Sequence, residues 1–261
     1  MPDTLNVCVD AAKAGGEVLR KWAGKFNAQE KGPRDLVTEA DLESQQVIRE
    51  ILISNFPHHQ FLGEEDTEAD VAELLRSEYC WVVDPLDGTA NYVHQLQTYA
   101  VSIALVNNGK PVVGVIYDPV MDHCYAAERG SGATCNGDRI AVSDCNQMDQ
   151  AMIAASFSAH VSAESSEIVR FLEVLMRCQA LRRLGSAALN LCYLAAGQLD
   201  GYWATSVNAW DVAAGLLIVE EAGGVVTALD GGEIDLIDPV FSSASTHQLQ
   251  QQMLAALSSK T

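Results

Sequence analysis

Trp81-Val82-Val83-Asp84-Pro85-Leu86-Asp87-Gly88-Thr89-Ala90-Asn91-Tyr92 decides how the rest of this chain is read. Trp81-Val82-Val83 completes a short buried strand, and Asp84-Pro85 ends it because a proline cannot continue the ladder. The strand thus delivers Asp84 at its carboxyl end, the chain turns at Pro85, and Asp87 follows. Two carboxylates around one tight turn converge and repel, and a divalent cation resolves that repulsion. Gly88 and Thr89 open a new segment with backbone N–H groups and a hydroxyl at an expected helix N-terminus, which suits an anion. Cations beside an anion pocket are what phosphoryl transfer needs. The same residues also make an ordinary Asp-Pro/Asp-Gly turn after a buried strand, and spacing alone leaves both readings open.

The flanking sequence adds acids of the same kind. Phe61-Leu62 leads into Gly63-Glu64-Glu65-Asp66, which puts Glu64 and Glu65 at a strand end rather than on a solvated helix. Asp211 follows Trp210 and opens the apolar helix Val212-Ala213-Ala214-Gly215-Leu216-Leu217-Ile218-Val219. An acid in a first turn is by itself ordinary compensation of the helix dipole. Taken together, four separated acids, each at the edge of an apolar element, read as a metal site rather than as independent surface charges. Other motifs fall away. Gly130-x-Gly132-x-x-Cys135 lacks the third glycine of a dinucleotide fingerprint, no G-x-S-x-G occurs, and His58, His59 and His94 are given no metal role.

The chain opens with an amphipathic helix through Leu5, Cys8, Val9, Ala12, Gly16 and Leu19. Thr38-Glu39-Ala40-Asp41 reads as a capping box for a second helix burying Leu42, Ile48, Ile51 and Leu52. From 98 to 143, turns at Asn108-Gly109, Asp118-Pro119 and Asn136-Gly137 punctuate strands over 99–106 and 111–117, an antiparallel meander. After about Asp149 strands (152–156, 181–184, 199–203) alternate with helices (165–177, 186–196, 210–222), and Met152 and Met176 are expected in the core. An α+β half over 1–148 and an α/β half over 149–261 are expected to share one compact unit.

Composition narrows the function. The 261 residues carry 16 Lys plus Arg against 35 Asp plus Glu, a formal net charge of −19. Such a surface repels phosphate backbones and anionic lipid, so neither nucleic acid nor membrane is an expected partner. A phosphorylated substrate would need local positive charge, for which metal ions are the natural supply. Seven cysteines without a C-x-x-C argue against a disulfide framework or zinc site and for a reducing compartment. Met1-Pro2-Asp3-Thr4 does not read as a signal peptide, so a cytoplasmic location is expected.

Gly63-Glu64-Glu65, the Asp84–Thr89 box and Trp210-Asp211-Val212-Ala213-Ala214-Gly215 with Glu221-Ala222-Gly223-Gly224 resemble the inositol monophosphatase family. Lys31, Asp35-Leu36-Val37-Thr38, Asp41 and Gly185-Ser186-Ala187-Ala188 extend the resemblance over nearly the whole chain. It implies a layered αβαβα sandwich of the sugar-phosphatase type. The N-terminal half would contribute an antiparallel meander sheet and the C-terminal half a smaller mixed sheet. It also implies two to three Mg²⁺ ions. Glu64, Asp84 and the Leu86 carbonyl would hold one, Asp84, Asp87 and Asp211 a second, and a weaker third would lie near Glu64. Gly88 and Thr89 would bind phosphate through their amides. Thr89 with Asp41 would orient and deprotonate the attacking water, with Glu64 and Asp84 completing the catalytic set. Ala187, Ala204 and Asp211 would face the substrate, and Glu65 would orient ligands. A lithium-sensitive homodimer is implied as well.

The implied activity is hydrolysis of inositol 1-phosphate or a related polyol or sugar phosphate by metal-activated water attack. Histidinol phosphate and fructose 1,6-bisphosphate are the alternatives, and a phosphate-binding regulatory protein without turnover is the rival class. The match loosens at the substrate side. Ala204 stands where the family usually carries a ring-binding Glu, and Asn208 where a His or Lys is often seen.

Overall fold

The computed structural model describes residues 3–32, 35–66, 70–158 and 160–258, and the side chains of residues 30–32 and 35 are not included. The side chains of Lys31 and Asp35, both part of the resemblance, therefore lie outside what is described.

Helix α1 (Thr4–Trp22) starts at Asp3, whose carboxylate accepts the Asn6 amide at 3.3 Å, and buries Cys8, Ala11, Ala12, Val18 and Leu19. A ribbon of β1 (Gln29–Gly32) and β2 (Asp35–Val37) leads to α2 (Glu39–Asn55). The capping box is present: Thr38 Oγ1 accepts the Ala40 amide at 3.1 Å, and Asp41 Oδ2 accepts the Thr38 amide at 2.9 Å. Ile48 and Leu52 are buried as expected, but Leu42 is 55% exposed. The buried stripe runs through Asp41, Ser44, Gln45, Ile48 and Leu52, and Leu42 sits about 100° off it.

Strand β3 (Gln60–Gly63), the short α3 (Val71–Leu75), β4 (Cys80–Asp87) and the single-turn α4 (Thr89–Val93) follow. Then come β5 (Ala100–Asn107), β6 (Lys110–Asp118), β7 (His123–Glu128), β8 (Ala133–Cys135) and β9 (Asp138–Arg139). Strands β4 to β9 pair antiparallel in sequence, the expected meander. Strand β3 adds to its edge parallel to β4, Phe61 beside Trp81 and Gly63 beside Val83, so the seven-stranded sheet is mixed. The second sheet comprises β10 (Met152–Ser156), β11 (Ala180–Arg182), β12 (Gly201–Ala204), β13 (Val225–Ala228) and β14 (Phe241–Ala244) in the order β11-β10-β12-β14-β13. Its first three strands are parallel, and β14 pairs antiparallel with both β12 and β13.

The remaining helices are α5 (Ser166–Leu175), α6 (Ala187–Ala195), α7 (Ala209–Glu221) and α8 (His247–Leu257). Met176, expected in the core, follows α5 and is 71% exposed, because α5 buries a different stripe ending at Val174. Helices α1 and α2 pack outside the first sheet, α6 and α7 between the sheets, and α5 and α8 outside the second. That is the αβαβα order. It also explains two sequence patterns. Strand β4 is apolar without alternation because it has helices on both faces, with Trp81 and Val83 in the outer core and Cys80 and Val82 in the inner one. Helix α7 is apolar nearly all round because it lies between two sheets. Its backbone presses on β6 at Gly114, where a Cβ would stand 2.7 Å from the Ala214 carbonyl oxygen.

Candidate active site

Parallel pairing of β3 with β4 brings their carboxyl ends together, and the Glu64 amide donates to Val83 O at 3.0 Å. Glu64 and Asp84 thereby become neighbours across the sheet. The β4–β5 register shifts between Asp84 and Asp87, so Pro85-Leu86 bulges and Asp87 returns to the ladder opposite Ala100. Asp84 Oδ1 accepts the Leu86 amide at 2.9 Å, fixing the bulge. Gly88 follows at φ 96°, in the left-handed region, and a Cβ there would lie 3.0 Å from Thr98 O. Asn91 braces this turn by donating to Thr98 O at 2.7 Å and Leu184 O at 2.8 Å.

Asp87 is tied to the start of α6. Its Oδ1 accepts the Ala187 amide at 3.1 Å, its Oδ2 accepts the Ala188 amide at 2.9 Å, and the Ser186 hydroxyl donates to it. Asp211, in the first turn of α7, accepts the Asn208 amide at 2.7 Å. The four acids Glu64, Asp84, Asp87 and Asp211 line one cleft of about 250 Å³ together with Leu86, Gly88, Thr89 and Ala187. The same cleft is lined by Ser156, Phe157, Arg183, Ser206 and Val207. A roomier hollow of about 390 Å³ beside Lys110, Arg129 and Glu220 gathers no comparable set of acids.

The electrostatics are those of a site short of positive charge. Burial, then the charges of Glu64, Asp87 and Asp211, push the Asp84 carboxyl well above the usual carboxylate range. Asp211 moves the same way, by burial and then by Asp87. Asp87 is pushed up to about 6 by burial, against the opposing pull of Ser186 and the Ala188 and Ala187 amides. Asp41 is 1% exposed and also pushed up to about 6, burial outweighing the Thr38 hydroxyl and amide that bond its Oδ2. Thr89 Oγ1 lies 3.0 Å from Leu86 O and 3.3 Å from Asp41 Oδ1, with one proton to donate between them.

Among the described residues no three His, Cys, Asp or Glu side chains form a closed cation cage. Asp84 is instead in hydrogen-bonding contact with Glu64, and Asp87 is held by α6. The donor set still fits Mg²⁺, a hard cation that takes oxygen ligands and completes its shell with waters and substrate phosphate. Crowded carboxylates whose charges raise one another's pKa are the electrostatic complement of such an ion.

Ala204 requires a correction. It is fully buried in β12, opposite Ser156 on one side and Phe241 on the other, and does not line the cleft. Its methyl exposes no surface, while Ser206, Val207 and Arg183 line the cleft. Asn208 is the exposed N-cap of α7. Sequence reasoning also passed over Arg183 and the brace behind Glu64. There Asp66 accepts the Gly63 amide at 2.9 Å and both its oxygens lie 2.6 Å from Arg49 Nη2, while Gln45 Oε1 accepts the Glu65 amide at 3.0 Å. The Asp66 carboxylate was visible in the acidic run; its partners on α2 had no signal at that separation.

The model of the "Inositol monophosphatase family" matches residues 2–261. The chain belongs to that family. It is a phosphoric monoester hydrolase. The inositol-1-monophosphatase of Mesorhizobium japonicum is 41% identical over 97% of this chain and 95% of its own length. The fructose-1,6-bisphosphatase/inositol-1-monophosphatase of Aquifex aeolicus is 38% identical over 95% of this chain and 94% of its own. Among solved structures, the extragenic suppressor protein suhB of Bartonella henselae superposes with a TM-score of 0.90 at 37% identity, covering 98% of each chain. An IMPase/NADP phosphatase complexed with Mg²⁺ and phosphate has a TM-score of 0.84 at 30% identity, over 95% of this chain and 92% of its own. These likenesses fit the αβαβα arrangement and a divalent metal cofactor.

Proposed function

We propose that this family member is a Mg²⁺-dependent phosphomonoesterase acting on inositol 1-phosphate or a related polyol or sugar phosphate. One observation carries the reading: four acids from β3, β4 and α7 converge beside the Gly88–Thr89 turn, with the Thr89 hydroxyl between Leu86 O and Asp41. Glu64, Asp84, Asp87, Asp211 and the Leu86 carbonyl are the residues that would hold two to three ions. Bound there, the cations would polarise the phosphoryl oxygens, lower the pKa of the attacking water and stabilise the leaving alkoxide.

The chain's own groups do the rest. The amides at Gly88 and Thr89 grip the phosphate, since the first N–H groups of a helical turn have no partner within it. Asp41, buried and anchored by Thr38, accepts the proton that Thr89 relays from the water. Ser186 and the α6 amides keep Asp87 from rotating away. Lithium inhibition, a homodimer and a cytoplasmic location belong to the same proposal. For the last, the seven free thiols suit a reducing compartment, and no helix among the described residues is long and apolar enough to cross a membrane.

The test is phosphate release from inositol 1-phosphate, histidinol phosphate and fructose 1,6-bisphosphate. Turnover should require Mg²⁺, stop in EDTA and return on Mg²⁺ addition. Full activity in chelator would overturn the metal assignment, and inertness towards every ester would overturn the proposal.

A further inference from the structure

Helix α2 is fastened to three separate parts of the acidic site. Asp41, Gln45 and Arg49 recur at four-residue spacing along one face of it, with Ser44 beside them. Asp41 Oδ1 lies 3.3 Å from the Thr89 hydroxyl. The Ser44 hydroxyl donates at 3.2 Å to Pro85 O, in the bulge between Asp84 and Asp87. One and two turns beyond Asp41, Gln45 and Arg49 grip the turn that carries Glu64.

That turn, Gly63-Glu64-Glu65-Asp66, leaves the end of β3 and closes with the Asp66 amide donating to Gly63 O at 3.1 Å. The closing bond sets the local backbone, and side chains of α2 set where the turn lies. Gln45, 7% exposed, accepts the Glu65 amide at 3.0 Å and donates from Nε2 to Asp66 Oδ1 at 3.3 Å. It lies over Gly63, in space that a Cβ there would fill. Asp66 accepts the Gly63 amide at 2.9 Å, and Arg49 Nη2 donates to both Asp66 oxygens at 2.6 Å. The Arg49 guanidinium carbon also stands 4.0 Å from the centroid of the Phe61 ring on β3. With Glu64 donating to Val83 O, all four backbone amides of the turn are engaged.

We infer that Gln45 and Arg49 are positioning residues for the cation site: acting through the Glu65 amide and Asp66, they order the Glu64 turn before a cation binds and so set the affinity for the ion that Glu64 holds. The inference deepens the proposed Mg²⁺-dependent reading and rests on it for the role of Glu64 as a ligand. A carboxylate on a loose turn would have to be ordered as the ion arrives, beside acids that repel it. The brace does that ordering within the folded chain. Charge alone predicts an effect of the opposite sign. Arg49 is a cation paired with an acid two residues from Glu64. Removing its charge leaves Asp66 unneutralised, which by Coulomb's law would strengthen Mg²⁺ binding. Loss of the brace weakens it.

Two measurements on the full chain decide it. The first is calorimetric titration of Mg²⁺ into metal-free wild type, R49Q, R49K and Q45M. The Kd should rise about 10- to 100-fold in R49Q and Q45M, as for other groups that orient metal ligands. It should rise less in R49K, which keeps the charge and a donor to Asp66 without the planar contact on Phe61. The second is hydrogen exchange in the same metal-free proteins. The Gly63 and Glu65 amides should exchange about tenfold faster or more in R49Q while those of β5 and β6 keep their rates, whereas a general loss of stability would speed them all. A Kd in R49Q within about twofold of wild type, or below it, overturns the inference, as does unchanged exchange at Gly63 and Glu65. If the wild type binds no Mg²⁺, the metal-dependent reading fails instead, and the exchange comparison still decides whether the brace orders the turn.

Discussion

Asp41 and Asp87 show how burial sets the behaviour of single residues in this site. Each carboxyl is pushed up to about 6 when folded, against an ordinary aspartate value of 3.8. Between those values the folded chain binds more protons than the unfolded one, so stability falls as pH rises through that window. The expected outcome is that the chelated protein melts at a lower temperature at about pH 7.5 than at about pH 5.5, and that Mg²⁺ removes most of the difference. A melting temperature that rises over that interval in chelator would contradict the assignment. Asp84, 2% exposed and surrounded by Glu64, Asp87 and Asp211, provides the companion test. Asp84→Asn should cut kcat by about 10²–10³ or more, since a ligand at the reacting charge is lost. The same change should raise the melting temperature of the chelated protein, because one member of a mutually repelling set is neutralised. Circular dichroism against temperature reads the second effect independently of turnover.

Helix α6 shows what an element contributes. Its N-cap, Ser186, accepts the Leu189 amide at 3.1 Å while its hydroxyl donates to Asp87. One side chain thus caps a helix of the inner layer and fixes an acid of the first sheet. Ser186→Ala removes both functions. The cap alone contributes about 1 kcal/mol, which for a chain of this size shifts the melting temperature by about 2–4 °C. Freed from the hydroxyl, Asp87 should bind cations more weakly. Calorimetric titration of Mg²⁺ should therefore show a raised Kd, where loss of a cap alone would leave metal affinity unchanged.

At the scale of the whole molecule, the cleft depends on the spacing between layers. Glu64 and Asp84 belong to the first sheet, Asp211 to α7, and the Phe157–Arg183 wall to the second sheet. Helix α7 sits close to β6 only because Gly114 has no Cβ to meet the Ala214 carbonyl oxygen at 2.7 Å and the Ala214 Cα at 3.0 Å. Both obstacles are backbone, so Gly114→Ala must move the helix rather than rotate a side chain. Overpacking of this kind costs about 1–3 kcal/mol. The expected result is a lower melting temperature together with reduced kcat, since Asp211 moves with α7. Wild-type kcat in a destabilised G114A protein would show that the spacing is less critical than the contact implies.

Much of this protein was legible in residue order. The apolar strand that delivers Asp84, the turn signals of the meander, the capping box at Thr38 and the apolar run of α7 are local patterns, and local patterns follow from backbone chemistry and periodicity; Pro85 bulges β4 without ending it, since Asp87 rejoins the ladder opposite Ala100. Tertiary structure decided what depends on distant partners. Strands β13 and β14 and helix α8 escaped the reading; in β14 the buried Ser242 bonds Gln250 of α8 at 3.2 Å, a polar pairing that hydrophobic periodicity does not register. Leu42 and Met176 proved exposed because the buried face of a helix is set by what it packs against. Ala204 was placed at the substrate side by the family resemblance, yet strand pairing buries it, while Arg183, without any local signal, reaches the cleft from the end of β11, on the far side of β10 from Ala204's strand. The residue types fitted for phosphate chemistry are written in the chain, but which of them meet is decided by sheet order and layer spacing, and those arise only when segments far apart in sequence pack together.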